Sequence, residues 1–136
     1  MSAPLASKLK LKSGQRASLL NAPRGYRGAL GRIPPGVTFR AYPDGTYDWI
    51  QVFAKNSAEL GRLAPRAVRA LRPDGILWVS FPKGTSPLQS DLTRDDGWEP
   101  LRRLDLKWVT LVSVNETWSA FAVRPYKEGE TRQSFR

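Results

Sequence analysis

The stretch LRPDGILWVSFPKG, from Leu71 to Gly84, decides the fold of this chain. Residues 76–81 are almost wholly apolar, whereas a strand with one solvent-exposed face alternates polar and apolar residues. We therefore expect a strand buried on both faces, as in a parallel sheet that helices cover on each side. A helix is expected to end at residues 72–73, and Asp74-Gly75 is expected to turn the chain into this central strand.

Length and composition indicate one domain. A chain of 136 residues with 40% hydrophobic content has material for one core, which we place in residues 1–125. Residues 126–136 offer no apolar pattern to bury, so we expect a disordered tail. No window approaches the roughly 20 apolar residues of a membrane span, and the first residues lack a signal-peptide core. These features predict a cytoplasmic protein without membrane contact.

The amino acids that are missing exclude several kinds of chemistry. The chain has no Cys and no His, so it has no disulfide, thiolate nucleophile, imidazole base or zinc site of the usual type. We accordingly predict no catalytic residue and no metal site. Lys and Arg number 22 against 12 Asp and Glu, and this net charge of +10 favours polyanionic partners. The alternative is a basic composition that reflects an Arg-rich coding background and has no binding role.

Five further segments have the pattern of strands. Residues 16–21, 37–42 and 47–54 precede the central strand, and residues 108–114 and 118–123 follow it. Only Asn115-Glu116-Thr117 separates the last two strands, which predicts an antiparallel hairpin. We predict an α/β fold with a mainly parallel sheet, helices on both faces and a carboxyl-terminal antiparallel hairpin.

The link between the second and third strands is too short for a parallel crossover, which needs about a dozen residues. Either the second strand runs antiparallel to the third, or it is short and residues 41–46 cross the sheet in an extended conformation.

Three segments are predicted to be helical. Residues 4–12 suit a short helix, and Asn56 with Glu59 forms a capping-box pattern at the start of a second helix. Pro65 lies inside that helix and predicts a kink or a restart. Residues 92–104 form the third helix, unless it begins near Trp98 because of Pro100. The face of the second helix opposite its apolar stripe carries Arg62, Arg66 and Arg69, which suit a solvent-exposed face or a binding surface.

Several of these segments together resemble a known family. YDWIQVFA, the helix ending at LRPDG, and WVTLVSVNETWSAFAV resemble the carboxyl-terminal half of class I, S-adenosylmethionine-dependent methyltransferases over residues 47–124. NAPRGY, LWVSFPKG, DLTRDDGW and ETWSA together resemble an uncharacterised family of short bacterial proteins built on a reduced version of that core.

The first resemblance implies a Rossmann-like sheet in strand order 2-1-3-4-6-5. It also implies S-adenosylmethionine as a possible cofactor, held by a Gly-rich turn after the first strand and an acid after the second. Here the turn is Asn21-Ala22-Pro23-Arg24-Gly25-Tyr26, in which Pro23 removes an amide donor and Arg24 adds charge near a cationic sulfonium. Asp44 is the candidate ribose acid, although a turn also explains it. These departures favour a degenerate site.

In open α/β sheets, ligands bind beyond the carboxyl ends of the parallel strands. Asp91 and Arg94 have an alternative role at a helix start. Tyr26 and Trp98 are the two candidates for an exposed aromatic that stacks on a base. The residues predicted to bind a ligand at this edge are Asn21, Arg24, Gly25, Tyr26, Lys55, Lys83, Ser86, Asp91 and Arg94.

The functional hypothesis follows from the charge and the incomplete cofactor turn. We expect a non-catalytic or degenerate methyltransferase-like protein that binds an anionic ligand, nucleic acid or another phosphate-bearing partner, at the carboxyl edge. The alternative is an S-adenosylmethionine-dependent methyltransferase that acts on a small molecule or on nucleic acid.

Overall fold

The structure is a computed structural model that describes residues 4–41, 44–86 and 90–134. Predictions that involve residues 1–3, 42–43, 87–89 and 135–136 lie outside the described residues. In the described ranges, no helix is long and apolar enough to cross a membrane. The strands are β1 Arg16–Leu20, β2 Thr38–Arg40, β3 Tyr47–Phe53, β4 Leu71–Pro82, β5 Leu106–Ser113 and β6 Trp118–Pro125. The helices are α1 Leu5–Lys8, α2 Tyr26–Ala29, α3 Ser57–Ala70 and α4 Glu99–Arg102.

The six strands form one sheet in the order β2-β1-β3-β4-β6-β5, which confirms the predicted order. Strands β1 to β4 run parallel, and β6 lies antiparallel between β4 and β5. The carboxyl-terminal hairpin is therefore confirmed as well. Its short connection allows only this antiparallel pairing.

The direction of β2 settles the two alternatives for the second strand. β2 is parallel to β1 and pairs with it only from Arg16↔Thr38 to Ser18↔Arg40. The chain must then pass β1 to reach β3, a sideways shift of about 10 Å. Six residues reach about 20 Å, so residues 41–46 are long enough because β2 is so short.

The central strand begins earlier than the sequence predicts. α3 ends at Ala70, and β4 starts at Leu71, opposite Tyr47. The register then shifts, because the next paired residues are Trp49 and Ile76. Residues 72–75 are thus a bulge in the strand rather than a turn before it. A Cβ on Gly75 would lie 3.0 Å from the carbonyl oxygen of Asp48, so the bulge requires glycine.

Both faces of the sheet are covered, as a strand buried on both sides requires. α3 and α4 cover one face, where Leu60, Leu63 and Trp98 pack against Val79 of β4. The amino-terminal segment with α1 and α2 covers the other. There the indole nitrogens of Trp49 and Trp78 both donate to the carbonyl oxygen of Leu9, at 2.8 and 2.7 Å.

α3 begins with the predicted cap. The Asn56 side chain accepts a hydrogen bond from the backbone amide of Glu59 at 2.8 Å, and the Glu59 carboxylate accepts one from the amide of Lys55 at 2.8 Å. The helix does not restart at Pro65 but continues from Ser57 to Ala70 with the proline inside it.

The prediction of a helix from Leu92 is wrong, because only Glu99–Arg102 is helical. Residues 93–96 form a turn in which the Thr93 amide donates to the Asp96 carbonyl at 3.0 Å. Gly97 has φ +92°, and a Cβ there would lie 2.6 Å from the carbonyl oxygen of Asp91. This tight turn excludes a helix, and α4 starts after Trp98 as the alternative proposed.

The segment after β6 differs from the disordered tail that the sequence predicts, since residues 126–134 return to β5 and β6. The Glu130 carboxylate pairs with Arg124 and Lys107, both at 2.8 Å. The Gln133 side chain bonds both the amide and the carbonyl of Trp108, at 2.8 and 3.0 Å. Polar side chains hold this segment, so a search for apolar residues misses it.

Candidate functional site

The parallel strands β1, β3 and β4 end at one side of the sheet, at Leu20, Phe53 and Pro82. We call the residues just beyond these ends, with the start of β6, the carboxyl edge. The amide of Lys83 donates to the carbonyl of Thr117 at 2.8 Å, which joins the hairpin to this edge.

Asn21 links two strand ends. Its backbone has φ +61°, a left-handed conformation that Asn tolerates better than most residues. The conformation directs the side-chain amide to the Phe53 carbonyl oxygen at 2.8 Å. Asn21 is therefore a rigid wall of the site, and its amide nitrogen is already engaged.

The loop after β1 exposes a cation and buries an aromatic ring. Gly25 has φ +80° and precedes α2, while Arg24 is exposed before it. Tyr26 points inward, is 5% exposed and packs against Phe53 at 4.6 Å between ring centroids. Burial raises the pKa of Tyr26 to about 12, and the neighbouring Gln51 side chain acts in the opposite direction. Tyr26 therefore offers almost no accessible surface for the ligand contact that the sequence predicts.

Trp98 is also unavailable for stacking, because it is 1% exposed in the core beneath α4. Its indole nitrogen donates to the carbonyl of Thr93. Neither of the two candidate aromatics presents a ring face to solvent, so neither is placed to stack on a nucleic-acid base.

A first concave region, the edge cavity, has a volume of about 340 Å³. Lys55 is the charged residue in its wall and is exposed. In the described ranges, no carboxylate forms an ion pair with Lys55 or with Arg24. The edge cavity is lined by Asn21, Ala22, Pro23, Lys55 and Trp118.

A second region, the helix cavity, has a volume of about 480 Å³ and lies between the end of β1 and α3. It brings Arg62 and Arg66 next to Asn21, whereas the sequence placed these arginines only on a helix face. The sequence signal for this cavity is the short link between β2 and β3. A link of four to six residues is too short to contain a helix that would pack over β1. The helix cavity is lined by Leu19, Leu20, Asn21, Ala22, Ala41, Arg62, Leu63 and Arg66.

Two of the remaining predicted residues meet in a third cavity of about 360 Å³, where Lys83 and Arg94 lie near Phe81. The Lys83 ammonium donates to the Ser113 hydroxyl at 2.6 Å. Ser86 is 4% exposed, so it contributes no accessible hydroxyl to the edge.

Asp91 caps a helix start, which is the alternative role that the sequence suggests for it. Its carboxylate accepts a hydrogen bond from the backbone amide of Ser57, the first residue of α3, at 2.8 Å. The carboxylate thus satisfies one of the amides that a helix start leaves unpaired. The prediction that Asp91 contacts ligand has no support in the geometry.

The residues that the methyltransferase resemblance requires are not in place. β2 ends at Arg40, so a cation stands where the ribose acid belongs. Asp44 lies at the opposite edge, where it accepts a hydrogen bond from the Tyr47 hydroxyl at 2.8 Å. That bond is the main cause that lowers the pKa of Asp44. The site therefore does not fit S-adenosylmethionine in the manner expected from the family.

Comparison with known proteins identifies the fold. The ribosomal protein L11 methylase from Lactobacillus delbrueckii subsp. bulgaricus is similar, with TM-score 0.56 and 13% identity over 90% of this chain and 76% of that one. A TehB-like SAM-dependent methyltransferase from Corynebacterium glutamicum gives TM-score 0.57 and 12% identity over 92% and 89%. The DhpI-SAH complex structure gives a TM-score of 0.59 and 13% sequence identity over 90% of this chain and 82% of that one.

No protein-family model and no curated protein matches the chain. Identities of 12–13% with these structures carry the fold alone. The similarity to them and the strand order agree: the chain has a Rossmann-like fold of the class I methyltransferase type.

Proposed function

We propose that the protein binds an anionic, phosphate-bearing ligand at the carboxyl edge without transferring a methyl group. The edge cavity carries this proposal, because Lys55 in its wall and Arg24 in the adjoining loop form no ion pair with a described carboxylate. Unneutralised cations at a concave surface attract anions and raise their local concentration. The cytoplasm remains the predicted location.

A second candidate is an S-adenosylmethionine-dependent methyltransferase that acts on a small molecule or nucleic acid. The comparisons favour it over the first, since the TehB-like structure is named as SAM-dependent and the DhpI structure is a complex with SAH. The residues favour the first, because Arg40 replaces the ribose acid and Pro23 interrupts the turn.

Charge reversal tests anion binding. We expect Arg24→Glu with Lys55→Glu to weaken binding of inorganic phosphate and of a short single-stranded oligonucleotide, with affinity falling steeply with salt. The matched control is Arg69→Glu with Arg103→Glu. It makes the same charge change on the opposite side of the sheet, where the parallel strands begin, near the end of α3 and the start of β5. Equal losses from both pairs, or binding insensitive to salt, would contradict the proposal.

Calorimetry separates the two candidates. We expect S-adenosylmethionine and S-adenosylhomocysteine to bind no more tightly than about millimolar, which corresponds to about 4 kcal/mol. Saturable micromolar binding of either compound would contradict the first candidate and favour the second.

A further inference from the structure

We infer that the ligand carries two anionic groups on one nucleoside, as in a nucleoside 3′,5′-bisphosphate, and passes over the end of β1. The inference rests on the proposed function and assigns the class of ligand. It follows from the relation between the edge cavity and the helix cavity.

The two cavities share Asn21 and Ala22 in their walls. The edge cavity also contains Trp118, which belongs to the core beneath α1 and α2. The helix cavity contains Leu63, which belongs to the core beneath α3. The cavities therefore lie on the two sides of the β1 end, separated by the residues that follow the strand.

Each cavity has its own positive charge. Lys55 supplies it in the edge cavity, and Arg62 with Arg66 supplies it in the helix cavity. These arginines stand four residues apart on α3, a spacing at which like charges repel. Glu59 lies 3.8 Å from Arg62, and no described carboxylate pairs with Arg66. An anion between the arginines relieves this repulsion, and a guanidinium binds phosphate oxygens in pairs.

The wall between the cavities determines the spacing of the anionic groups. The Asn21 side chain, which donates a 2.8 Å hydrogen bond to the Phe53 carbonyl oxygen, forms part of this wall. Two directly linked phosphates, as in pyrophosphate, span a shorter distance than two phosphates joined through a sugar, so the proposal favours the sugar-linked pair. Both free nucleotides and nucleic-acid strands contain that unit.

The test compares thymidine 3′,5′-bisphosphate, thymidine 5′-monophosphate and pyrophosphate by calorimetry at low salt. Linking two binding groups raises affinity by an effective-concentration effect, so we expect the bisphosphate to bind on the order of tenfold or more tightly than either other compound. Lys55→Ala and Arg66→Ala should each remove most of this advantage. Arg69→Ala, an exposed arginine in the last turn of α3, should leave it unchanged. All three side chains are exposed, and melting curves check that each variant folds.

The outcomes separate the inference from the function on which it rests. Equal affinities for bisphosphate and monophosphate, or an Arg66→Ala variant indistinguishable from the parent, overturn the two-anion inference and leave anion binding intact. No binding of any phosphate compound overturns both. An octathymidylate that binds more tightly than the bisphosphate supports the inference with a nucleic-acid strand as the source. If the bisphosphate is preferred over the monophosphate and pyrophosphate, and octathymidylate binds no more tightly than the bisphosphate, the two-anion inference is supported with a free nucleotide as the source.

Discussion

Tyr26 shows how one backbone angle decides whether a side chain serves a site. The sequence NAPRGY suggested an exposed ring, because the loop is rich in polar and turn-forming residues. Gly25, at φ +80°, starts α2 in an orientation that directs Tyr26 against Phe53. The Tyr26 hydroxyl is buried, and none of the described residues gives it a well-aligned hydrogen bond.

We therefore expect Tyr26→Phe to change the free energy of unfolding by less than about 1 kcal/mol at pH 7. Because burial raises the pKa of Tyr26 to about 12, the native state keeps this proton when an unfolded tyrosine, with a pKa of about 10, has lost it. Stability from this residue is complete below about pH 10 and falls as the pH rises toward 12. Between about pH 10 and pH 12, the Tyr26→Phe variant should therefore lose less stability than the parent protein.

Urea unfolding of both proteins at pH 7 and pH 10.5 provides the measurement. Tyr26→Ala serves as the comparison and should cost about 3 to 5 kcal/mol at either pH, because it removes the ring. A Tyr26→Phe variant that loses more than about 2 kcal/mol at pH 7 would show that the hydroxyl has a strong partner.

At the scale of elements, β4 determines the core on both faces. Trp78 is completely buried, and its indole nitrogen shares the Leu9 carbonyl oxygen with Trp49. Trp78→Ala should therefore cost about 3 to 5 kcal/mol, much of the stability of a domain this size. Chemical denaturation measures the loss.

Two further variants test the reason for this cost. Trp78→Phe keeps most of the ring volume, and Trp49 still donates to Leu9, so we expect a much smaller loss than for alanine. Val109→Ala on β5 alters a side chain that is 43% exposed and should cost well under 1 kcal/mol. If Trp78→Ala melted within a degree or two of the parent, the doubly covered strand would be wrong.

The start of α3 provides a second test at this scale. Asn56→Ala removes the acceptor for the Glu59 amide and should cost about 1 kcal/mol, whereas Asn56→Ser, which retains a capping oxygen, should restore most of it. Thermal melts of the three proteins measure the difference. Equal stabilities would mean that the Asp91 carboxylate on the Ser57 amide suffices as the cap.

The sequence predicts the elements where one pattern dominates. The apolar run of β4 and the three-residue link before β6 predict the doubly covered strand and the hairpin, and the strand order follows from the resemblance to methyltransferases. The helix expected from Leu92 fails, because the turn at residues 93–96 and the close approach of Gly97 override helical spacing.

The candidate site is less predictable, because it depends on which faces remain uncovered. Asn21, Arg24 and Lys55 follow the ends of β1 and β3, so the topology alone places them on this side of the sheet. Arg66 lines the helix cavity because none of the described residues forms a helix over β1 beside α3, which depends on the whole connection and not on local sequence.

At the scale of the whole molecule, the terminal segment after β6 supplies a carboxylate that pairs with cations of the outer hairpin. The net charge is +10, yet residues 126–134 supply Glu130 to two cations on the outer hairpin, Arg124 and Lys107. Asp105 similarly pairs with Arg132 at 2.8 Å. These pairs neutralise cations at β5 and β6, whereas Arg24, Lys55 and Arg66 form no ion pair with a carboxylate of the described residues, which suits an anion site near β1.

Glu130→Gln tests whether this carboxylate holds the terminal segment. Hydrogen bonds from Arg124, then Lys107, then the Lys127 amide lower the pKa of Glu130 far below its usual range. A lowered folded pKa contributes stability above the unfolded value of about 4.3, and that contribution is lost as the pH falls below it. The variant should melt at a lower temperature than the parent at pH 7, with a smaller difference at pH 3. Glu128→Gln, which changes an exposed neighbour, should match the melting temperature of the parent at both pH values. If the melting temperature of Glu130→Gln differed from that of the parent by the same amount at both pH values, the charge of Glu130 would not be what holds the segment against β5 and β6.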